Sequence, residues 1–292
     1  MQPAGRFLLM TALLRATDLA VDHATVAGTD LTQMRARLAA IGIPSEYGGP
    51  HSNGATQMAL TSFPDGSYLE LIALQANPDE KAAAAHYWAK QIQGNAGPAA
   101  WAVRASDVAA EAGRLRAAGI TVSSPAQSGR ERPDGTRLEW DTARVGVEPN
   151  GTFFPFLIRD ITRRELRAFP AGQPSTEKFT GLKRVVIAVR DLEASVERYR
   201  QGYGFPAPAE QDDIRFGARL AWFAGTPVVL AAPLNARSWL AKRIERFGEG
   251  PCAFVLGSQT SDYRAASKTR WFGAEVSWFD TEKLGWYLGF EK

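Results

Sequence analysis

One pattern recurs four times along this 292-residue chain and leaves few folds open to it. A β-rich run leads to an aspartate, then to an amphipathic stretch closing at glycine, then to short strands. The first copy runs from Val21-Asp22-His23-Ala24-Thr25 through Asp30 and a helix carrying Met34, Leu38 and Ile41 to Gly42. The second runs from Ala99-Ala100-Trp101 through Asp107 to Gly119, and both aspartate-to-glycine intervals are twelve residues. The third runs from Leu182-Lys183-Arg184 through Asp191 to Gly202 and Gly204. A weaker fourth begins at Pro251-Cys252-Ala253-Phe254, with a polar helix start near Ser261-Asp262. Each aspartate can accept hydrogen bonds from the exposed N–H groups of a first helical turn. Asp65-Gly66 between two apolar runs is a hairpin signal.

The unit is therefore β-α-β-β-β. That rhythm predicts an α+β fold with curved mixed sheets, its four modules falling into two pairs, since a doubly wound sheet would alternate single strands and helices. The expected divisions are a leader or helix over 1–18, a first domain over 19–160, a linker over 161–177 and a second domain over 178–292. The linker holds an Arg-rich, helix-like stretch and then Pro170-Ala171-Gly172-Gln173-Pro174-Ser175.

Composition narrows the class of function. With 34 basic and 31 acidic residues the net charge is only +3 and spread along the chain, so no nucleic-acid partner is expected. Cys252 is the sole cysteine, which forbids an intrachain disulfide and any cysteine metal site. The apolar run Phe7 to Leu14 looks a little like a signal peptide but is too short to span a bilayer. A cytoplasmic protein without a membrane partner is the expectation, secretion or a periplasmic location the lesser alternative. Glycine loops for phosphate, a nucleophile elbow and a nicotinamide fingerprint are missing, so no nucleotide cofactor is expected.

Four stretches carry a resemblance. They are Val21-Asp22-His23; Gly48-Gly49-Pro50-His51 with Gly54 and Thr56; Asp65-Gly66-Ser67-Tyr68-Leu69-Glu70-Leu71-Ile72; and Gly129-Arg130 through Arg132-Pro133-Asp134-Gly135-Thr136, Leu138 and Trp140 to Pro155-Phe156-Leu157-Ile158. Together they resemble the vicinal oxygen chelate superfamily, and more specifically its glyoxalase-like branch. The resemblance covers about 140 residues in detail and the remainder in rhythm only. It implies a cup enclosing a small-molecule or metal site, with ligands from the first and last strands of each module.

On that resemblance His23 and Glu70 are the candidate ligands of a divalent metal ion, and His51 a third ligand or the catalytic acid/base. A strand histidine can equally be a hydrogen-bonded core residue, and Glu70 an outward-pointing glutamate. A carboxylate among Leu69, Leu71 and Ile72 is nevertheless costly unless paired or coordinated. Arginine reads carboxylates and phosphates bidentately, and the arrangement of Arg130 with Trp140 recurs in the resemblance, which makes these two the favoured substrate-binding pair. Arg132 and Arg137 flank the same turn, where a solvated basic hairpin is the alternative. Trp101 and Gln57 complete the substrate-binding set, and Trp101, Phe154 and Phe156 form either a cavity wall or plain core. His86, beside Ala82 to Ala85, reads as part of a surface helix without a role.

The ligand set is incomplete. Ala100 stands at the second module's first-strand position, its last strand offers Pro155-Phe156-Leu157, and Arg184 with Val228-Val229-Leu230 fills the corresponding positions of the third. The expected function is a glyoxalase-like protein, monomer or homodimer, binding a small oxygenated metabolite in its N-terminal cup. Metal-assisted isomerase or lyase chemistry is one form of that expectation; non-catalytic sequestration of the bleomycin-resistance type is the alternative.

Overall fold

The computed structural model describes residues 19–147, 153–260 and 263–292. The leading run over 1–18 and the polar helix start near Ser261-Asp262 lie outside the described residues.

Helices form where the repeat places its aspartates. Asp30, Asp107 and Asp191 each accept a backbone N–H three residues on, capping α1 (Leu31–Ala40), α4 (Val108–Ala117) and α6 (Leu192–Tyr203). The last of these ends at Gly204, whose φ of 68° is the left-handed conformation that closes helices.

The first module comprises β1 (Val21–Ala27), α1, β2 (Glu46–Pro50), β3 (Thr56–Ser62) and β4 (Tyr68–Leu74). Two short helices, α2 (Glu80–Ala85) and α3 (Ala89–Gln93), lead to the second module: β5 (Gly97–Arg104), α4, β6 (Ala126–Glu131), β7 (Arg137–Ala143) and β8 (Phe156–Asp160). After α5 (Arg164–Ala168) the third module has β9 (Phe179–Ala188), α6, β10 (Ala209–Asp213), β11 (Ala218–Trp222) and β12 (Val228–Pro233). The fourth follows α7 (Trp239–Phe247), with β13 (Gly250–Ser258), β14 (Ser267–Trp271), β15 (Ala274–Trp278), α8 (Thr281–Leu284) and β16 (Tyr287–Glu291).

Each pair of modules makes one eight-stranded mixed sheet, in the orders β2-β3-β4-β1-β5-β8-β7-β6 and β10-β11-β12-β9-β13-β16-β15-β14. The first strands of the paired modules, β1 with β5 and β9 with β13, run antiparallel at the centre, and each lies parallel to its own module's last strand. This is the expected α+β architecture of two cups.

The first sheet curls until its edges meet. His51, just past β2, bridges to Arg130 of β6, and the Ser52 hydroxyl donates to the Gly129 carbonyl at 2.8 Å. Gly49 permits that approach: its φ is +104°, and a Cβ there would lie 2.5 Å from the Glu131 carbonyl oxygen.

Strand alternation sorts the side chains between two environments. Val26, Leu69, Leu71, Trp101, Val103, Leu157, Val185, Ile187, Leu230, Phe254 and Leu256 share one large core with the helices and with the other sheet. The opposite faces are concave. In the first cup that face carries polar groups around a cavity; in the second it is packed with Val186, Phe216, Val229, Trp271, Val276 and Trp278. None of the described helices is long and apolar enough to cross a membrane.

Candidate functional site

The first cup holds a cavity of about 310 Å³. His23, His51, Glu70, Arg130 and Trp140 all line it, so five of the side chains singled out in the sequence converge on one space. Trp101 and Gln57 do not line it. Trp101 points to the other side of β5 and is buried in the shared core, because the alternation that sets Ala100 on the cup side sets its neighbour away. Gln57 is likewise out of phase with the lining residue Met58; its amide donates to the Leu74 carbonyl at 3.0 Å and accepts from the Tyr47 hydroxyl at 3.1 Å. Phe154 is core, whereas Phe156 is wall.

At the cup floor an aspartate orients a histidine. The pairing of β1 with β5 slips between Val21 and His23, and this bulge lets two sequence neighbours face each other. His23 Nδ1 lies 2.7 Å from Asp22 Oδ1, both side chains being buried. A proton on Nδ1, donated to Asp22, leaves Nε2 directed at the cup. The imidazole is clamped by Tyr68, stacked at 4.8 Å, and by Phe156, edge-on at 5.3 Å.

Asp22 is itself held by Arg167, whose Nη1 and Nη2 donate to its two oxygens at 3.0 and 2.9 Å. Arg164 donates to Asp22 as well, and Arg167 also meets Asp160 and the Tyr68 hydroxyl. Burial alone would raise the Asp22 carboxyl; Arg167, the His23 hydrogen bond and Arg164 outweigh it and hold the group well below the usual carboxylate range. Burial pushes the Tyr68 phenol up, so it stays protonated.

Glu70 sits between the two candidate histidines. Its Oε2 accepts the Thr25 hydroxyl at 2.9 Å and lies 3.8 Å from His23 Nε2, while Oε1 lies 3.4 Å from His51 Nε2. Burial again opposes ionisation, but His51, His23 and Thr25 prevail and bring the carboxyl down to about 2. His51 is positioned by the Thr56 hydroxyl, 2.9 Å from its Nδ1. It adjoins the end of strand β2.

His86 also lines the cavity, so all three histidines of the chain meet there. It caps the C-terminus of α2 instead of lying on a surface helix, and its Nδ1 accepts the Trp88 backbone N–H at 3.1 Å. Burial, reinforced by His51, lowers this imidazole to about 4.

The arginines divide by burial. Arg130 is 3% exposed and spends its guanidinium on the carbonyls of Gly48 and Arg167. Arg132 binds the Pro170 carbonyl and Asp134, while Arg137 is exposed beside Glu139 at 3.0 Å. Arg144 stands at the rim over the Tyr87 ring, 5.5 Å from its centroid.

Sequence reasoning missed Asp22, Tyr68, His86 and Arg167. Asp22 left a trace, an acid inside an otherwise apolar strand. Arg167 left none, being one of several arginines in a stretch that reads as a joint.

Among the described residues no group of three or more His, Cys, Asp and Glu side chains is placed to hold a metal ion. His23 and His51 are arranged about the Glu70 carboxylate, and Ala100 and Phe156 offer no donor from the second module. The residues present therefore do not fit a chelated ion.

A family profile described as a glyoxalase-like domain matches residues 21–210. No curated protein sequence matches the chain. Among solved structures, a hypothetical protein from Staphylococcus aureus is similar over 94% of this chain and 99% of its own, at 14% identity and a TM-score of 0.65. Methylmalonyl-CoA epimerase from Mycobacterium tuberculosis is similar over 40% of this chain and 89% of its own, at 22% identity and a TM-score of 0.35. With the profile matched over more than half of this chain and the two cups in place, the chain belongs to the glyoxalase-like domain family.

Proposed function

We propose that the first cup binds a small oxygenated metabolite and moves a proton on a carbon beside its carbonyl group. The observation that carries this reading is the Asp22–His23 pair, with Nε2 turned to a cavity and 3.8 Å from an ionised Glu70. In that geometry Nε2 accepts the substrate proton, and Asp22 stabilises the imidazolium that forms. His51, on the other oxygen of Glu70, is the second proton carrier, which suits an isomerase, epimerase or lyase. The apolar wall of Met58, Ile72, Trp140, Phe156 and Ile158 takes an alkyl or aryl group. Arg144 at the rim and buried Arg130 favour an anionic substrate.

A divalent metal enters this reading only as an outcome of its test. His23 and Glu70 are the ligands the family resemblance implies, but their partners in this chain are each other, Asp22, Thr25 and His51. Sequestration without catalysis is the second reading; the apolar wall, which needs no chemistry to hold a ligand, favours it.

Incubating the protein with pyruvate, 2-oxobutyrate and phenylpyruvate in heavy water tests the proposal. Proton NMR is expected to show enzyme-dependent exchange beside the carbonyl of at least one acid, reduced roughly 10²- to 10⁴-fold in His23→Ala. Saturable binding without exchange supports sequestration. Stoichiometric divalent metal in protein prepared without chelator, lost in both His23→Ala and Glu70→Ala, would overturn the metal-free assignment.

A further inference from the structure

Three imidazoles line the cup, and the reading above uses only two of them. The third, His86, enters through neither of the strands that build the floor. It follows α2, in the connection between the first two modules, and stands beside the mouth with Tyr87 stacked on it at 4.5 Å and Trp88 tilted against it at 5.8 Å. These contacts fix the ring plane.

The backbone fixes its proton. The Trp88 N–H donates to Nδ1 at 3.1 Å, so Nδ1 is the acceptor nitrogen and Nε2 carries the hydrogen of the neutral ring. Protonating Nδ1 would break that hydrogen bond and set two donors against each other. Of the three imidazoles, this one alone has a backbone N–H directed at a ring nitrogen. His23 Nδ1 faces a carboxylate and His51 Nδ1 a hydroxyl. Nothing in this arrangement suits His86 to accept a proton; it suits a fixed donor.

Removing a proton beside a carbonyl needs such a donor. As the C–H bond breaks, its proton goes to His23 Nε2. The C–H electron pair forms a carbon–carbon double bond, and the carbonyl π pair moves onto oxygen. That oxygen gains charge, and a fixed neutral N–H facing it stabilises the enolate without surrendering a proton.

We propose that His86, locked as its Nε2–H tautomer, is the oxyanion donor of the first cup, and that the substrate is accordingly an enolisable oxo compound whose oxygen lies on the α2 side of the cavity. This deepens the proton-transfer reading and rests on it. Burial keeps the ring neutral through the physiological range, which agrees with a donor that does not titrate during turnover.

The full chain labelled with ¹⁵N, with its three histidines assigned by substitution, provides the test. Long-range ¹H–¹⁵N spectra at pH 7 are expected to show His86 neutral and protonated on Nε2, and phenylpyruvate is expected to shift His86 together with His23. His86→Phe, which keeps an aromatic ring but no donor, is expected to lower exchange of phenylpyruvate roughly 10- to 100-fold. His86→Gln, which restores an N–H, is expected to recover part of that loss. An Nδ1–H tautomer in the free protein overturns the role of His86 alone. So does wild-type exchange in His86→Phe while His23→Ala is inactive. Wild-type protein that neither binds nor exchanges phenylpyruvate overturns the cup as an enolate site, and this inference with it.

Discussion

The same position in three modules carries three different side chains. Seven residues before the capping aspartate stand His23, Ala100 and Arg184. In the first cup His23 meets Asp22, Glu70 and a cavity. In the second, Arg184 donates to the buried Glu291 at 2.9 Å and lies 4.7 Å from the Trp222 ring centroid. The carboxylate position of β4 becomes Val229 on β12, and the space above is filled by Phe216, Trp271, Trp278, Trp239 and Tyr287, with ring centroids 4.5 to 5.7 Å apart. One scaffold thus serves as a container in one half and as a packed core in the other. A cup needs small or polar side chains on its concave face to stay open; aromatic ones on that face exchange the ligand site for stability.

The helix between modules follows the same division. In the second half α7 lays Leu240 and Ile244 into the cup. In the first half the equivalent stretch is broken into α2 and α3, and the break delivers His86 to the cavity.

Removing the charge that holds the first cup's floor should have the largest effect. Arg167→Leu takes from Asp22 and Asp160 their buried guanidinium and leaves them Arg164, and denaturant unfolding should show a loss of about 3–5 kcal/mol. The double change Arg184→Met with Glu291→Met removes both partners of the second cup's pair, and should lie within about 1 kcal/mol of wild type or above it. Equal losses from the two experiments would remove the distinction between a working network and a vestigial one.

Trp271→Ala opens a void among packed rings and should cost about 3–5 kcal/mol. Phe156→Ala, at a wall that already faces a cavity, should cost less than half of that while weakening ligand binding.

The acid limb should also belong to the first half. Glu70 is ionised down to about 2, below its ordinary value near 4.5, so the folded chain takes up that proton later than the unfolded one. Its contribution is complete above the ordinary value and is lost as pH falls towards 2, up to about 3 kcal/mol in all. Glu70→Gln should flatten that part of the stability profile.

His86 should act in the same sense at higher pH. The folded ring refuses a proton down to about 4, whereas the unfolded one accepts it near 6.5, so stability should decline as pH falls between those values. His86→Phe should abolish that slope. Because all three histidines lie in the first ninety residues, no histidine of the second cup contributes to it.

Much of the architecture was legible in the residues because it is local. A capping aspartate, an apolar face and a closing glycine define each of α1, α4 and α6 within about twelve residues, and their recurrence implies the paired sheets. His23, Glu70 and His51 could be assembled because the resemblance ties them to one cup. Trp101 was misplaced although strand alternation opposes it to Ala100; its aromatic character outweighed its phase. Arg167 and His86 are another matter. Each is placed by a five- or six-residue helix whose packing depends on the whole sheet, and nothing in its own neighbourhood distinguishes it from a surface residue.

A crystal structure of the full chain with phenylpyruvate would test the division between the cups most directly. Ligand density between His23, Glu70 and His86, with Phe216, Trp271 and Trp278 unmoved in the second cup, is the result expected. Density within the second cup, or at the surface with the first cup empty, would contradict it.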